Sequence, residues 1–109
     1  STVGLSNPEL IQNIFKELNV KKNKDFGVHL HSNQETSYLK VESAFNHGCR
    51  RFDSTISGIG GCPFAKDELV GNIATQTILN FIQNNNLDHN LNMLNLETAY
   101  NESKSLFKF

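Results

Sequence analysis

The chain has 109 residues, a length typical of a single domain or of part of a larger one. Its 10 Lys and Arg nearly balance its 11 Asp and Glu, so no basic field exists to attract nucleic acid or an anionic membrane surface. Apolar residues make up 38%, with no transmembrane pattern. The two cysteines and the absence of a signal peptide lead us to expect a cytoplasmic protein with reduced thiols. Because Ser1 is not a methionine, we also expect a longer parent protein.

An amphipathic helix is predicted over residues 7–18. Asn7 and Pro8 are typical of a helix start, and apolar residues follow at helical spacing. These apolar residues are Leu10, Ile11, Ile14, Phe15 and Leu18. A short strand is predicted next, over Phe26–His31, and its period of two places His29 and His31 on one face.

A second helix, strand and glycine-rich loop follow. The helical stripe consists of Tyr38, Val41, Ala44 and Phe45 and stops before Gly48. Alternating residues predict a strand over residues 50–56, and three glycines within residues 58–61 then allow close backbone approach. A third helix is predicted from near Asn72, followed by one or two more. The expected anchors of the tail are Leu91, Leu94, Leu96, Tyr100, Leu106 and Phe107.

The order of these elements predicts an α/β fold with parallel strands and helical crossovers. Only two strands are evident, however, and a two-stranded sheet is too small to be stable alone. We therefore expect residues 1–109 to belong to a larger α/β architecture.

The pair His29 and His31 is the sharpest local feature, because both rings reach the same point from one strand end. An isolated His-x-His more often forms hydrogen bonds to loops than binds a metal ion. Parallel α/β folds, however, place ligands at the carboxyl ends of their strands, where this pair lies. Both interpretations stay open at this point.

Two further residues are candidates for chemistry. Cys62 follows Gly60 and Gly61 in the loop, where a thiol suits proton transfer from a lid, although free cysteines are more often small buried hydrophobes. Cys49 fits that buried role better, and we expect no disulfide between them. Asn72 is either a helix N-cap or an oxygen ligand for a hard cation such as Mg²⁺ or Mn²⁺.

Three segments resemble hydroxymethylglutaryl-CoA lyases. They are His29-Leu30-His31, the stretch from Phe52 to Lys66 with its Gly-Gly-Cys-Pro sequence, and Gly71-Asn72-Ile73-Ala74-Thr75. The resemblance runs from Ser1 to about Phe107, and it implies the C-terminal part of a (β/α)8 TIM barrel, with its last two to three strand–helix units and the C-terminal helices. A complete barrel takes roughly 250 residues.

The resemblance also implies an activity and a site. The parent enzyme would cleave 3-hydroxy-3-methylglutaryl-CoA to acetyl-CoA and acetoacetate with a divalent cation, Mg²⁺ or Mn²⁺. His29, His31 and Asn72 would bind the metal, with His29 also able to transfer a proton. Cys62 would be the acid or base of a lid loop that includes Gly58, Gly60 and Gly61. The implied partners are an acyl-CoA substrate and the missing N-terminal part of the barrel, and a homodimer stays open.

The sequence departs from the family's pattern at several points. Ser1 and Ser32 stand where aspartates are common, and the interval from Cys62 to Asn72 is one residue longer. The family's aspartate ligand and catalytic arginine lie on a first strand that this chain lacks, so the metal site would be incomplete. Two alternatives remain: a related condensing enzyme or aldolase with the same barrel, and a small non-catalytic α/β binding module.

Overall fold

The computed structural model describes residues 6–19, 25–60 and 70–107 as an α/β structure. In chain order the elements are α1 (Pro8–Leu18), β1 (Gly27–Val28), β2 (His31–Ser32), α2 (Gln34–Asn46), β3 (Arg51–Phe52), a 3-10 turn (Ile56–Gly58), β4 (Gly71–Asn72), α3 (Thr75–Asn84) and α4 (Met93–Phe107). Within these ranges no helix is both long and apolar enough to span a bilayer.

The first two helices begin at asparagine caps. The Asn7 side chain accepts a hydrogen bond from the Leu10 N–H at 2.8 Å, which places the start of α1 within one residue of the prediction. Asn33 caps α2 in the same way, accepting from the Thr36 N–H at 3.0 Å. Gly48, with a φ of +103°, follows the end of α2 as predicted.

Strands β1 and β3 are parallel, and the described residues contain one more parallel segment than the sequence predicts. In β1 and β3, Val28 lies opposite Phe52 in parallel register. A further parallel bridge joins Thr55 to Ala74, beyond β4. The predicted single strand over residues 26–31 is instead two short strands, since β2 leaves β1 and pairs antiparallel with β4.

The prediction that the third helix begins near Asn72 is wrong. Asn72 lies in β4, and its N–H donates to the Gly60 carbonyl at 3.1 Å. The helix begins three residues later, after Ala74, which precedes it as its cap residue. The N-cap interpretation of Asn72 is therefore also wrong.

The core lies among the first three helices and the parallel strands. Its buried members are Ile11, Phe15, Leu30, Val41, Ala44, Cys49, Ile73 and Phe81. Phe81 makes edge-to-face contacts with the rings of Tyr38 and Phe45, which joins α3 to α2. Cys49 is only 1% exposed, as the sequence predicts. The core packs against β1 and β3 and so fixes the positions of His29 and Asp53, the residues that directly follow these strands.

The tail forms one helix, α4. Several residues that were expected to pack it against the core are exposed instead, so this part of the prediction is wrong. Leu94 is 73% exposed and Leu106 75%, and Leu91 and Phe107 are exposed as well. The inner face of α4 carries Leu96, Tyr100 and the buried Ser103, which are spaced i, i+4 and i+7. Leu94 lies on the opposite face, two residues from Leu96, because a helix turns about 100° per residue.

Candidate metal centre

His29 and His31 lie beside each other at the end of β1. Their ring centroids are 5.0 Å apart and the rings are nearly perpendicular, at 76°. His31 is buried in β2, whereas the His29 side chain is 57% exposed. The prediction that the period of two brings these rings to one side agrees with this geometry.

The surroundings of His31 favour its neutral form. Burial is the largest cause that lowers the pKa of this imidazole, followed by the neighbouring His29, while the Gly71 backbone acts in the opposite direction. A neutral imidazole is the form that binds a metal ion. The strand end is also tied to α2, because the buried Lys40 Nζ donates to the His31 carbonyl at 3.1 Å. Burial lowers the pKa of Lys40.

Asn72 faces the histidine pair from β4. It lies directly opposite His31 in the antiparallel register, so the two side chains start from neighbouring Cβ positions. Its Nδ2 donates to the Ile59 carbonyl at 3.0 Å, which fixes the orientation of the amide. Its Oδ1 is buried and accepts no hydrogen bond from the residues that the structure describes. A buried carbonyl oxygen without a donor is costly unless a ligand or water satisfies it.

The glycines of the loop let the backbone pass close to Asn72. A Cβ on Gly58 would lie 2.7 Å from the Asn72 backbone oxygen, and one on Gly60 would lie 3.0 Å from its Nδ2. Both glycines have positive φ, +70° and +89°. Gly61 and Cys62 lie outside the described residues, so their predicted positions in this loop stay predictions.

The described part of the loop is held by hydrogen bonds to the start of α3. The Ser57 N–H donates to Gln76 Oε1 at 2.9 Å, and Gln76 Nε2 donates back to the Ser57 hydroxyl at 3.2 Å. The Thr55 hydroxyl donates to the Ile59 carbonyl at 2.9 Å. These contacts support the carbonyl that orients Asn72.

Asp53 also belongs to this site, although no motif in the sequence indicates it. Its Oδ2 lies 3.3 Å from Nδ1 of His29. What relates the two residues is their position in the strands. His29 directly follows Val28, the last paired residue of β1, and Asp53 directly follows Phe52, the last paired residue of β3. Finding it requires the register between the strands, which the sequence pattern alone does not give.

The donors gathered here fit a hard divalent cation. Two imidazoles and one amide oxygen lie at the same edge, a set that suits Mg²⁺ or Mn²⁺ when further oxygen ligands complete it. The unsatisfied Oδ1 of Asn72 is the observation that favours a cation. Within residues 6–19, 25–60 and 70–107, no three His, Cys, Asp or Glu side chains form a metal-binding group. The described part of the site therefore offers only a partial ligand set.

Comparison with known proteins identifies the class of protein to which this chain belongs. The chain matches the HMGL-like family over residues 1–102. It therefore belongs to the HMGL-like family, and this membership supports an enzyme of the lyase type.

Three relatives show how far the similarity extends. A (R)-citramalyl-CoA lyase of Chloroflexus aurantiacus is 44% identical over 52 residues, which is 48% of this chain and 16% of that protein. The hydroxymethylglutaryl-CoA lyase YngG of Bacillus subtilis is 26% identical over 99 residues, covering 90% of this chain and 33% of the relative. A cytoplasmic human 3-hydroxy-3-methylglutaryl-CoA lyase is 26% identical over 102 residues, 90% of this chain and 26% of the relative. The chain thus spans no more than a third of these relatives.

Solved structures confirm the predicted fold class. An HMG-CoA lyase from Acinetobacter baumannii, in complex with coenzyme A and 3-methylmalate, matches with a TM-score of 0.83 at 26% identity, over 96% of this chain and 34% of that one. The Brucella melitensis HMG-CoA lyase matches with a TM-score of 0.84 at 22% identity, over 100% and 38%. The chain therefore has the fold of about a third of a TIM barrel.

Proposed function

We propose that this chain supplies one edge of the active site of a divalent-metal-dependent carbon–carbon lyase. Its substrate is 3-hydroxy-3-methylglutaryl-CoA, and its products are acetyl-CoA and acetoacetate. The chain acts together with the remaining part of a TIM barrel, which supplies the other ligands and most contacts with the CoA moiety. Residues 1–109 form the C-terminal segment of that barrel.

The observation that carries the proposal is the position of Asn72. Its buried Oδ1 lacks a hydrogen-bond donor among the described residues, and its strand lies opposite the second residue of the histidine pair. The histidine pair follows the carboxyl end of the parallel strand β1, and Asn72, from a distant part of the sequence, lies opposite His31. Barrel enzymes bind their substrates at this end.

We assign a role to each residue. His29, His31 and Asn72 hold the cation through two imidazole nitrogens and one amide oxygen. A cation bound there would polarise the hydroxyl and carbonyl oxygens of the acyl group and favour loss of the hydroxyl proton. Cys62 transfers a proton to or from the acyl group, an assignment that depends on the resemblance to hydroxymethylglutaryl-CoA lyases alone. Gly58 and Gly60 leave room for the backbone beside Asn72.

Support for an acyl-CoA substrate comes from the relatives. Those with the broadest coverage are named as lyases of hydroxymethylglutaryl-CoA, and the A. baumannii lyase was solved with coenzyme A. A non-catalytic module has no comparable support, because the family match covers nearly the whole chain.

The test uses the complete protein that contains this chain, with Mg²⁺ or Mn²⁺ and 3-hydroxy-3-methylglutaryl-CoA. We expect equal release of acetyl-CoA and acetoacetate. The variants His31→Ala and Asn72→Ala are expected to lose more activity than the 10–100-fold typical of residues that only support a metal ligand. The control His89→Ala removes an exposed histidine outside the site and should retain activity. Full activity of Asn72→Ala would contradict the proposed metal ligand.

A second substrate has support from one observation. The citramalyl-CoA lyase is 44% identical over 52 residues, against 37% over 51 residues for the hydroxymethylglutaryl-CoA lyase of Pseudomonas mevalonii. Cleavage of citramalyl-CoA at the equivalent bond releases pyruvate instead of acetoacetate. Assaying both products therefore separates the two substrates, and incubating acetyl-CoA with a 2-oxo acid tests for a condensing enzyme.

A further inference from the structure

We propose that Asp53 is a positioning residue that fixes the tautomer of His29, so that His29 Nε2 is the nitrogen directed to the metal. This inference rests on the proposed function, since it extends the assignment of His29 as a ligand. It adds a residue outside the set of ligands and names the ligating atom.

The backbone places these two residues side by side. Val28 and Phe52 are partners in the parallel register, and the Asp53 N–H donates to the Val28 carbonyl at 2.9 Å. His29 and Asp53 therefore leave their strands at the same level. The carboxylate reaches His29 through Oδ2, at 3.3 Å from Nδ1.

The direction of this hydrogen bond determines the tautomer. An ionised carboxylate only accepts hydrogen bonds, so Nδ1 must carry the proton. In a neutral ring Nε2 then holds the lone pair. Histidines that bind metals usually donate their other N–H to a carboxylate or carbonyl group, which orients the ring and raises its basicity. The ring of His29 also contacts that of His31 edge to face, so its orientation is restrained from a second side.

Fold stability does not explain this contact. The side chains of His29 and Asp53 are 57% and 66% exposed, and exposed ion pairs contribute little to stability. The chain offers a matched pair for comparison, in which Arg51 Nη1 lies 3.0 Å from Asp25 Oδ2 with side chains 64% and 77% exposed. Removing the Asp25 carboxylate changes the surface charge equally but leaves His29 untouched.

The experiment measures the His29 tautomer in the complete, metal-free protein by NMR of ¹⁵N-labelled histidine, with His29→Gln used to assign the signal. We expect the Nδ1–H tautomer in the wild type and in Asp25→Ala. In Asp53→Ala we expect a shift toward the Nε2–H tautomer. Asp53→Asn retains an acceptor oxygen and should restore most of the wild-type signal. A wild-type Nε2–H tautomer, or no change in Asp53→Ala, would overturn the proposal.

Mn²⁺ binding, followed by electron paramagnetic resonance, provides the second measurement. We expect Asp53→Ala to weaken binding by about 10–100-fold and Asp25→Ala to change it by less than about twofold. Equal affinities of the two variants would contradict the positioning role. If the wild type binds no Mn²⁺, the proposed function fails, while the tautomer still decides what Asp53 does to His29. If Mn²⁺ affinity and the tautomer respond as expected but 3-hydroxy-3-methylglutaryl-CoA is not cleaved to acetyl-CoA and acetoacetate, only the proposed substrate fails.

Discussion

Gly58→Ala should damage the site through the backbone of Asn72, and Gly48→Ala is its matched control. Both glycines have positive φ, where an alanine costs about 1–2 kcal/mol. The gain from restricting the unfolded chain is the same for both and cancels. At Gly58 the new Cβ would lie 2.7 Å from the Asn72 backbone oxygen, whereas at Gly48 the nearest atoms among the described residues belong to the flexible Asn19 side chain, at 3.3 Å or more. Overpacking adds about 1–3 kcal/mol.

We therefore expect Gly58→Ala to lower the free energy of unfolding by about 2–5 kcal/mol and Gly48→Ala by about 1–2 kcal/mol. Urea unfolding of the complete protein measures this difference. Mn²⁺ affinity should fall in Gly58→Ala alone, because relief of the clash displaces the strand that holds Asn72. Equal losses of stability in the two variants, together with unchanged Mn²⁺ affinity, would refute the role of this close approach.

Three buried titratable groups give further predictions. Because burial lowers the pKa of Lys40, the unfolded state binds more protons between that lowered pKa and pH 10.5, so the contribution of Lys40 to stability should rise with pH across this window. Urea unfolding at alkaline pH should show this rise as the difference between the wild type and Lys40→Met, and a difference that does not change with pH would contradict the burial of Lys40. Burial also lowers the pKa of His31, so the NMR signal of this ring should titrate below pH 6.5. The free energy of unfolding should fall as the pH drops below 6.5, because the unfolded state then binds more protons. Titration of His31 at or above pH 6.5 would contradict its burial. Burial raises the pKa of the Cys49 thiol, so a thiol reagent should modify Cys49 only after the protein is unfolded in urea. Rapid labelling of Cys49 in the folded protein would contradict its burial in the core.

The sequence was sufficient for the histidine pair but not for the element that carries Asn72. Alternation along one strand predicts that His29 and His31 share a side, and their rings do lie together, although the chain forms two short strands there instead of one. Strand β4 has only two residues, Gly71 and Asn72, which is too short for any alternation. Its partners lie far away along the chain, in β2, and the Asn72 N–H donates to the Gly60 carbonyl of the preceding loop. Only the folded chain therefore shows that this segment is a strand.

Two other outcomes depend on tertiary contacts in the same way. Asp53 is an ordinary polar residue in the sequence, and it becomes part of the site only through the register of β1 with β3. Along α4, apolar residues occur on more than one face, so apolar character alone did not distinguish the half-buried Leu96 from the exposed Leu94 and Leu106. The burial of Cys49 can be predicted from the sequence, because this residue lies between a helix end and a strand, where a small apolar side chain is usually buried.

Cleavage of 3-hydroxy-3-methylglutaryl-CoA by the complete, Mg²⁺-loaded protein tests the central claim most directly. Our account predicts that acetoacetate and acetyl-CoA form in equal amounts and that both products are lost in Asn72→Ala. The contradicting result is a folded wild-type protein that binds the cation but releases neither acetoacetate nor, from citramalyl-CoA, pyruvate.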